Sequence, residues 1–546
     1  MIEKFAPNSD SGITVSFSAA ILLAVCLAAL CLPALTAQTP QEFDLLITGG
    51  RIVDGAGNPW VRGSVAIRGD RIVAMGHLPE AKAKRTIDAG NKVVAPGFID
   101  IHNHGRRGIF QVPSAENYVR QGVTTIIEGN DGSSPLPLRG FFEKLLDMGI
   151  GVNLGAFVGH GSVRNEVMGA ADRRATPDEL NRMRRLVGQA MNEGALGLST
   201  GLFYIPGNFA PTEEVIELAK IAAASGGMHI SHMRDEAAKL LDSVDETIRI
   251  GREGGLPTHI THHKAVGKPN WGSSTETLQR VDQARERGVD VSIDLYPYTA
   301  ASTRTTALFP PWAQAGGRQQ LLGRLQDPAT RRRIKTEIAR RIEVDRGGGD
   351  PKNIQLVNCE WDQRLNGKTL AGVTRDRGRD VTFETGAETA MEIEAAGGCA
   401  AVYHAMTEED VERIMQYRGT MIASDGWIFR LGDGVPHPRA YGTFPRVLGR
   451  YGREKGIIEL EDAVRKMTSL PAQRIGQFDR GLLRLGMKAD VTIFDPDTII
   501  DRAEFGKPHQ YADGVYFVIV NGKVVLDDGE MTLSRPGTIL YGAGMK

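Results

Sequence analysis

Cysteine is scarce in this chain, with four among 546 residues. Two of them, Cys26 and Cys31, sit in the apolar stretch Ala19 to Leu32, which leaves Cys359 and Cys399. Two cysteines cannot form a disulfide framework in a chain of this size, and the sequence leaves their pairing undecided. An excess of charge is also missing. The 65 basic residues stand against 66 acidic ones, so there is no electrostatic footprint for nucleic acid, and a small-molecule substrate is the default partner. The run Ala19 to Leu32 is shorter than the about 20 residues a spanning helix needs. Followed by Pro33 and small residues near Ala37, it reads as an export signal over residues 1–37. The expectation is a periplasmic or secreted mature chain without stable membrane insertion, with an uncleaved anchor as the alternative. Neither Cys26 nor Cys31 follows the small residues that precede a lipid-modified cysteine.

Histidine, by contrast, is concentrated. Of the 12 in the chain, eight fall between His102 and His263. The stretch Val93 to Gly105, VVAPGFIDIHNHG, reads as a buried strand ending in His102-x-His104. Side chains alternate along a strand, so both imidazoles share one face and can hold one metal ion. A first strand of a (β/α)8 barrel would place them at its C-terminal end, where such barrels carry their chemistry.

The rest of the chain supports that architecture. About 250 residues suffice for one barrel, so a barrel with accessory parts is the simplest division. Residues 43–92 show short strands alternating with Gly and Asp turns, and residues 481–546 repeat that texture, with Asn521-Gly522 as a hairpin signal. Both ends are expected to build one small composite β-sandwich. Between them strands and helices alternate. The barrel, residues 93–480, takes its strands from Val93–Asp100, Thr124–Glu128, Asn153–Val158, Ala195–Ser199, Gly227–Ser231, Thr258–Thr261, Val289–Asp294 and Thr420–Ser424. Thr176-Pro177-Asp178-Glu179 is a capping-box helix start, and Thr212 is a second candidate cap. The long gap before the eighth strand implies an insertion at about 312–395, whose Arg-rich segment Arg318 to Arg341 reads as a solvated helix.

Further polar residues recur where strands end: His232 in HISHMRDE, His262 in HITHHK and Asp425 in MIASDG. Imidazoles and carboxylates gathered from different strand ends of one barrel suit zinc or a related divalent ion.

With these motifs the chain resembles the amidohydrolase superfamily, and within it the D-aminoacylase (N-acyl-D-amino-acid deacylase) family. GVTTIIEGND, VGHGSVR, LSTGLFYIPG, DLYPYTA and HPRAYGTFPRVL add to the likeness, which runs from Phe43 onward. The resemblance implies that His102, His104, His232, His262 and Asp425 form the metal site. Two departures stand out. The family typically has a cysteine ligand after GVTTxxxGN where this chain has Asp131, so Asp131 is the expected ligand and Glu128 its competitor. After the H-x-H the family commonly has an acidic residue, where this chain has Gly105-Arg106-Arg107, a change that bears on substrate charge. The fourth strand, Gly197-Leu198-Ser199-Thr200-Gly201, lacks the lysine that hydantoinase-like relatives carboxylate to bridge two metals. The resemblance therefore implies one tight zinc, with a weaker second position.

The resemblance further places Lys264, Tyr296 and Ser302 around the substrate carboxylate, with Arg439 as a second cation and His160 lining the pocket. A cation and hydroxyls near a metal can orient an anion. The implied activity is hydrolysis of N-acyl-D-amino acids, with Asp425 as general base and then acid. Alternatives are a dipeptidase or cyclic amidase of the same superfamily, or an exported binding protein that has lost catalysis. Oligomeric state is not legible.

Overall fold

At Gly97 the chain leaves one sheet for another. Val93–Pro96 pairs in parallel with Phe43–Ile52 and antiparallel with Val491–Phe494, whereas Phe98–Asp100 pairs in parallel with Val123–Glu128. The single strand expected over Val93–Asp100 is therefore two strands in different sheets. A Cβ on Gly97 would lie 2.2 Å from the Thr124 side chain, so only glycine permits the close crossing. These features come from a computed structural model that describes residues 42–546, and the expected export signal over residues 1–37 lies outside them. Among the described residues no helix is long and apolar enough to cross a membrane.

The flanking segments, residues 43–96 and 491–531, join in one continuous nine-stranded mixed sheet. Alternate residues of its strands, such as Leu45 and Ile47, Val65 and Ile67, and Val491 and Ile493, fill a common core, as the period of two requires.

The barrel strands are Phe98–Asp100, Val123–Glu128, Asn153–Ala156 continued by Val158–Gly159, Gly197–Gly201, Met228–His232, Thr258–Ile260, Val291–Leu295 and Thr420–Ile422. Each pairs in parallel with the next. The ring closes between the eighth and first strands through the segments just beyond them: Asp425 N donates to His102 O (2.9 Å) and His104 N to Gly426 O (2.8 Å). Below, the Asp100 carboxylate accepts from Ser424 N (2.9 Å) and Ser424 Oγ (2.5 Å). The third and fourth strands meet only at their upper ends, because Ile539–Leu540 adds a parallel strand along Asn153–Ala156. This explains why the fourth strand starts at Gly197 and not at Ala195. The capping box at Thr176 and Glu179 is present, whereas Thr212 donates its hydroxyl to Glu246 (2.7 Å) instead of capping its own helix.

The excursion between the seventh and eighth strands spans more than 312–395. It begins with Ala301–Arg304 and returns through Ala400–Tyr403, and these two strands pair antiparallel, with Ile354–Asn358 on the other side of the second. Around them pack four helices of seven or more residues, Arg318–Gln326, Pro328–Val344, Leu370–Asp376 and Phe383–Ala396, over a separate core that includes Leu308, Ile338, Leu356 and Met391. The Arg-rich segment breaks at Asp327, which caps Thr330 N (2.8 Å) ahead of Pro328. Its arginines are not all free in solvent, since Arg318 pairs with Glu394 and Arg331 with Glu388.

Cys359 and Cys399, 40 positions apart, form a disulfide within this core. Closing a loop of that length removes unfolded-state entropy worth about 4 kcal/mol in the chain-entropy account. Cys399→Ser should therefore open the insertion first. Limited proteolysis of the unreduced variant should cut between residues 301 and 403 before the barrel, and an unchanged cleavage pattern would remove this stabilising role.

Candidate metal centre

Six polar side chains delivered by five strand ends converge at the barrel mouth. His102 and His104 follow the first strand, Asp131 the second, His232 ends the fifth, His262 follows the sixth and Asp425 the eighth. They form two groups with a shared member: His102, His104, Asp131 and Asp425, and Asp131, His232 and His262. In the first group His102 Nε2 lies 3.2 Å from His104 Nε2, 3.4 Å from Asp131 Oδ1 and 3.5 Å from Asp425 Oδ1. His104 Nε2 is 3.4 Å from Asp131 Oδ2 and 3.0 Å from Asp425 Oδ1. In the second, His232 Nδ1 is 3.5 Å from Asp131 Oδ2 and His262 Nε2 is 3.6 Å from Asp131 Oδ1. Tetrahedral ligands at 2.0–2.1 Å from zinc stand about 3.3 Å apart. Among the described residues Asp131 Oδ1 and His232 Nδ1 are buried without a hydrogen-bond partner. Spacing, donor type and unsatisfied buried atoms all fit a divalent cation.

The electrostatics point the same way. Burial disfavours a charged imidazole, yet hydrogen bonds to the carboxylates of Asp131 and Asp425 hold the His104 pKa up at about 10. Burial and Lys264 pull His262 down, but Asp131 and Glu236 raise it to about 9. The buried carboxylates thus demand positive charge at the centre.

Backbone strain marks the same residues. Asp131, His262 and Asp425 have φ of 55°, 34° and 51°, a region that non-glycine residues occupy at a cost and keep only when held. Asp294 holds His262: its Oδ1 accepts from His262 N (2.6 Å), while His259 Nε2 lies 2.7 Å from its Oδ2. Asp100 and Ser424 brace Asp425 from below. The H-x-H pair stays on one side although the strand stops at Asp100, because Asn103 turns away, donating to Asp100 Oδ2 (2.9 Å) and accepting from Gly105 N (2.7 Å). Glycine brings the Asp131 loop onto the fourth strand. A Cβ on Gly201 would lie 2.1 Å from Asp131 O, and Gly132 N donates to Ser199 Oγ (2.8 Å). The carboxylate from the second strand therefore reaches a central position that no fourth-strand lysine fills.

Glu128 stays out of both groups. Its two oxygens are buried without a hydrogen-bond partner among the described residues, and burial pushes its pKa to about 7 against the pull of Arg106 and His104.

The expected substrate-binding residues divide. Arg439 and Lys264 both flank the ring of Tyr296, at 4.8 and 5.5 Å from its centroid. Each already faces a carboxylate: Arg439 Nη1 is 2.7 Å from Asp425 Oδ2, and Lys264 Nζ is 2.5 Å from Glu236 Oε1. Ser302 lies beside them, its carbonyl accepting from Arg439 Nη2 (3.4 Å). His160 is engaged elsewhere. Its Nε2 sits 3.0 Å from Glu214, which also binds Arg164, so this histidine belongs to a buried ion network and not to the metal groups. The departure at Arg106 also resolves: its guanidinium donates to Ser133 Oγ (2.8 Å), tying the first loop to the one carrying Asp131.

Reading the sequence missed Asp100, Asp294 and Glu236, although each stands within a quoted motif. It also missed Arg346, which no local pattern singles out.

Residues 85–526 match the family described as the Amidohydrolase family. The D-aminoacylase of Alcaligenes xylosoxydans xylosoxydans is 38% identical, the match covering 92% of this chain and 98% of that protein. The N-acyl-D-glutamate deacylase of the same organism is 37% identical over 92% of this chain and 97% of its own length. The crystal structure of N-acyl-D-glutamate deacylase from Bordetella bronchiseptica, complexed with zinc and a phosphonate that mimics the tetrahedral intermediate, superposes with a TM-score of 0.79. It shares 34% identity over 92% of this chain and 100% of that one.

Proposed function

The chain belongs to the amidohydrolase family, and we propose that it hydrolyses the amide bond of N-acyl-D-amino acids, releasing a carboxylate and a D-amino acid with zinc as cofactor. The observation that carries this reading is the pair of metal-holding groups joined by Asp131 at the barrel mouth, with Asp425 set between two histidines and Arg439. His102, His104, Asp131 and Asp425 would hold zinc at one position, and Asp131, His232 and His262 at the other. Bound there, zinc would supply a Lewis acid for the scissile carbonyl and would lower the pKa of water from 15.7 to about 7.

The chain's own groups do the rest. Asp425 is buried, yet Arg439 and the facing histidines hold its pKa well below the carboxylate range, so it is ionised at neutral pH. An ionised carboxylate at that place can take a proton from the attacking water and return it to the leaving amine. Tyr296, with a cation on either side and Ser302 close by, is where the substrate's α-carboxylate would be oriented. That anion has to share the two cations with Asp425 and Glu236, which weakens what either cation contributes to its binding.

The test is a panel of N-acyl-D- and N-acyl-L-amino acids, dipeptides and hydantoins offered to zinc-loaded protein. Turnover confined to the D-acyl compounds, lost on chelation and regained with zinc, is expected. Preference for dipeptides or hydantoins would transfer the chain to a peptidase or cyclic-amidase activity. The 38% and 37% likenesses to a D-aminoacylase and a D-glutamate deacylase do not select a side chain, so the panel includes neutral and acidic D-residues.

A further inference from the structure

Glu236 is 1% exposed and lies four positions past His232. Its Oε1 is 3.2 Å from His262 Nδ1, and its Oε2 is 3.8 Å from His232 Nε2. These are the nitrogens that do not face Asp131, since His262 turns Nε2 and His232 turns Nδ1 to that carboxylate. An imidazole that gives one nitrogen to a metal keeps its proton on the other, and that proton needs an acceptor. One carboxylate stands where it can serve both rings. His232 Nε2 makes no hydrogen bond among the described residues, and at 3.8 Å Glu236 Oε2 is the carboxylate oxygen that faces it.

Glu236 is in turn held from outside the barrel. Arg346, 4% exposed, follows the insertion's helix Pro328–Val344 and reaches Glu236 Oε2 with Nη2 at 3.3 Å. The same guanidinium lies over Phe203, 4.4 Å from its centroid, and the Phe203 ring is 5.6 Å from that of His232. Arg346 thus bears on His232 by two routes, one through a carboxylate and one through an aromatic ring.

Resting on the reading that zinc occupies the Asp131–His232–His262 position, we propose that Glu236 and Arg346 are positioning residues that orient both imidazoles of that position. The insertion is then part of what holds the metal. Lys264 sharpens the point. Its Nζ lies 2.6 Å from His262 Nδ1, and an ammonium there requires Nδ1 to be an acceptor, which leaves the proton on Nε2 facing Asp131. Glu236 supplies the competing arrangement, with Nδ1 as donor and Nε2 free for the metal.

The experiment compares zinc affinity by chelator competition, and zinc occupancy at each position by anomalous diffraction, in the wild type and in Glu236→Gln, Arg346→Met and Arg346→Lys. Both Glu236→Gln and Arg346→Met should bind zinc about 10–100-fold more weakly at the Asp131–His232–His262 position. Occupancy beside His102, His104 and Asp425 should be kept, and Arg346→Lys should recover part of the loss. Arg346 lies outside the barrel strands, so its variants carry the test even where Glu236→Gln does not fold. Unchanged affinity, or an equal fall at both positions, overturns the inference alone. A wild type with zinc at neither position overturns the metal reading itself, and this inference with it.

Discussion

Asp425→Asn should lower kcat by about 10²–10⁴-fold, the range that a positioned general acid–base group contributes. The amide fills the same space but cannot accept a proton from water at neutral pH, so the loss falls on the chemical step. Zinc at the Asp131–His232–His262 position should remain, because Asp425 is not a member of that group. Arg439 loses the carboxylate that it faces at 2.7 Å, so its charge becomes available to the substrate, and KM should fall or hold while kcat collapses. Steady-state kinetics on the best N-acyl-D-amino acid, with zinc content measured on the same preparation, separates the effects. A kcat near that of the wild type would remove Asp425 from the proton transfer.

The largest effect on metal content is expected at Asp131, the residue common to both groups. Asp131→Ala leaves two histidines at one position, fewer than the three protein ligands of a catalytic zinc site, and His102, His104 and Asp425 at the other. Zinc should be lost outright from the first and weakened at the second, with activity at least 100-fold down. Glu128→Ala should keep its zinc, because the Glu128 carboxylate lies in neither group. Metal analysis of the two purified variants is decisive: full zinc in Asp131→Ala, or loss confined to Glu128→Ala, would reverse the assignment. A hard carboxylate oxygen should also make this site accept manganese or cobalt more readily than a thiolate would. Asp131→Cys, measured with the same metals, should shift the preference back towards zinc.

Much of the barrel was legible because its strands are short apolar runs ending in polar residues, and ligands at strand ends announce themselves. His102, His104, His232, His262 and Asp425 were singled out that way, and the structure brings them together at the barrel mouth. The boundaries erred where a long-range partner, invisible locally, takes over: Gly97 divides a continuous apolar run between two sheets, and the pairing of Ala301–Arg304 with Ala400–Tyr403 widens the insertion. The partners of His160 were hidden for a related reason. A histidine in a glycine-rich loop suits a pocket, and its ion-pair partner Glu214, which also binds Arg164, lies 54 positions away. Arg346 was out of reach altogether, since its contact with Glu236 spans 110 positions and nothing in its neighbourhood distinguishes it from the other arginines of the insertion.

The strand Ile539–Leu540 constrains how the molecule can be made. Thr538 N donates to Asn153 Oδ1 across 385 positions, so the lower edge of Asn153–Ala156 has no partner until that late segment has been synthesised. At about 5–20 residues per second this is a wait of roughly 20–80 s. During it the nascent barrel carries an open strand edge beside Leu154 and Leu196, both buried once folded, and open edges template pairing with other chains. Docking of this strand is a contact of very high sequence separation, a kind that forms slowly. A ribosome-bound chain stopped before residue 537 should remain sensitive to protease at that seam, however complete its metal ligands.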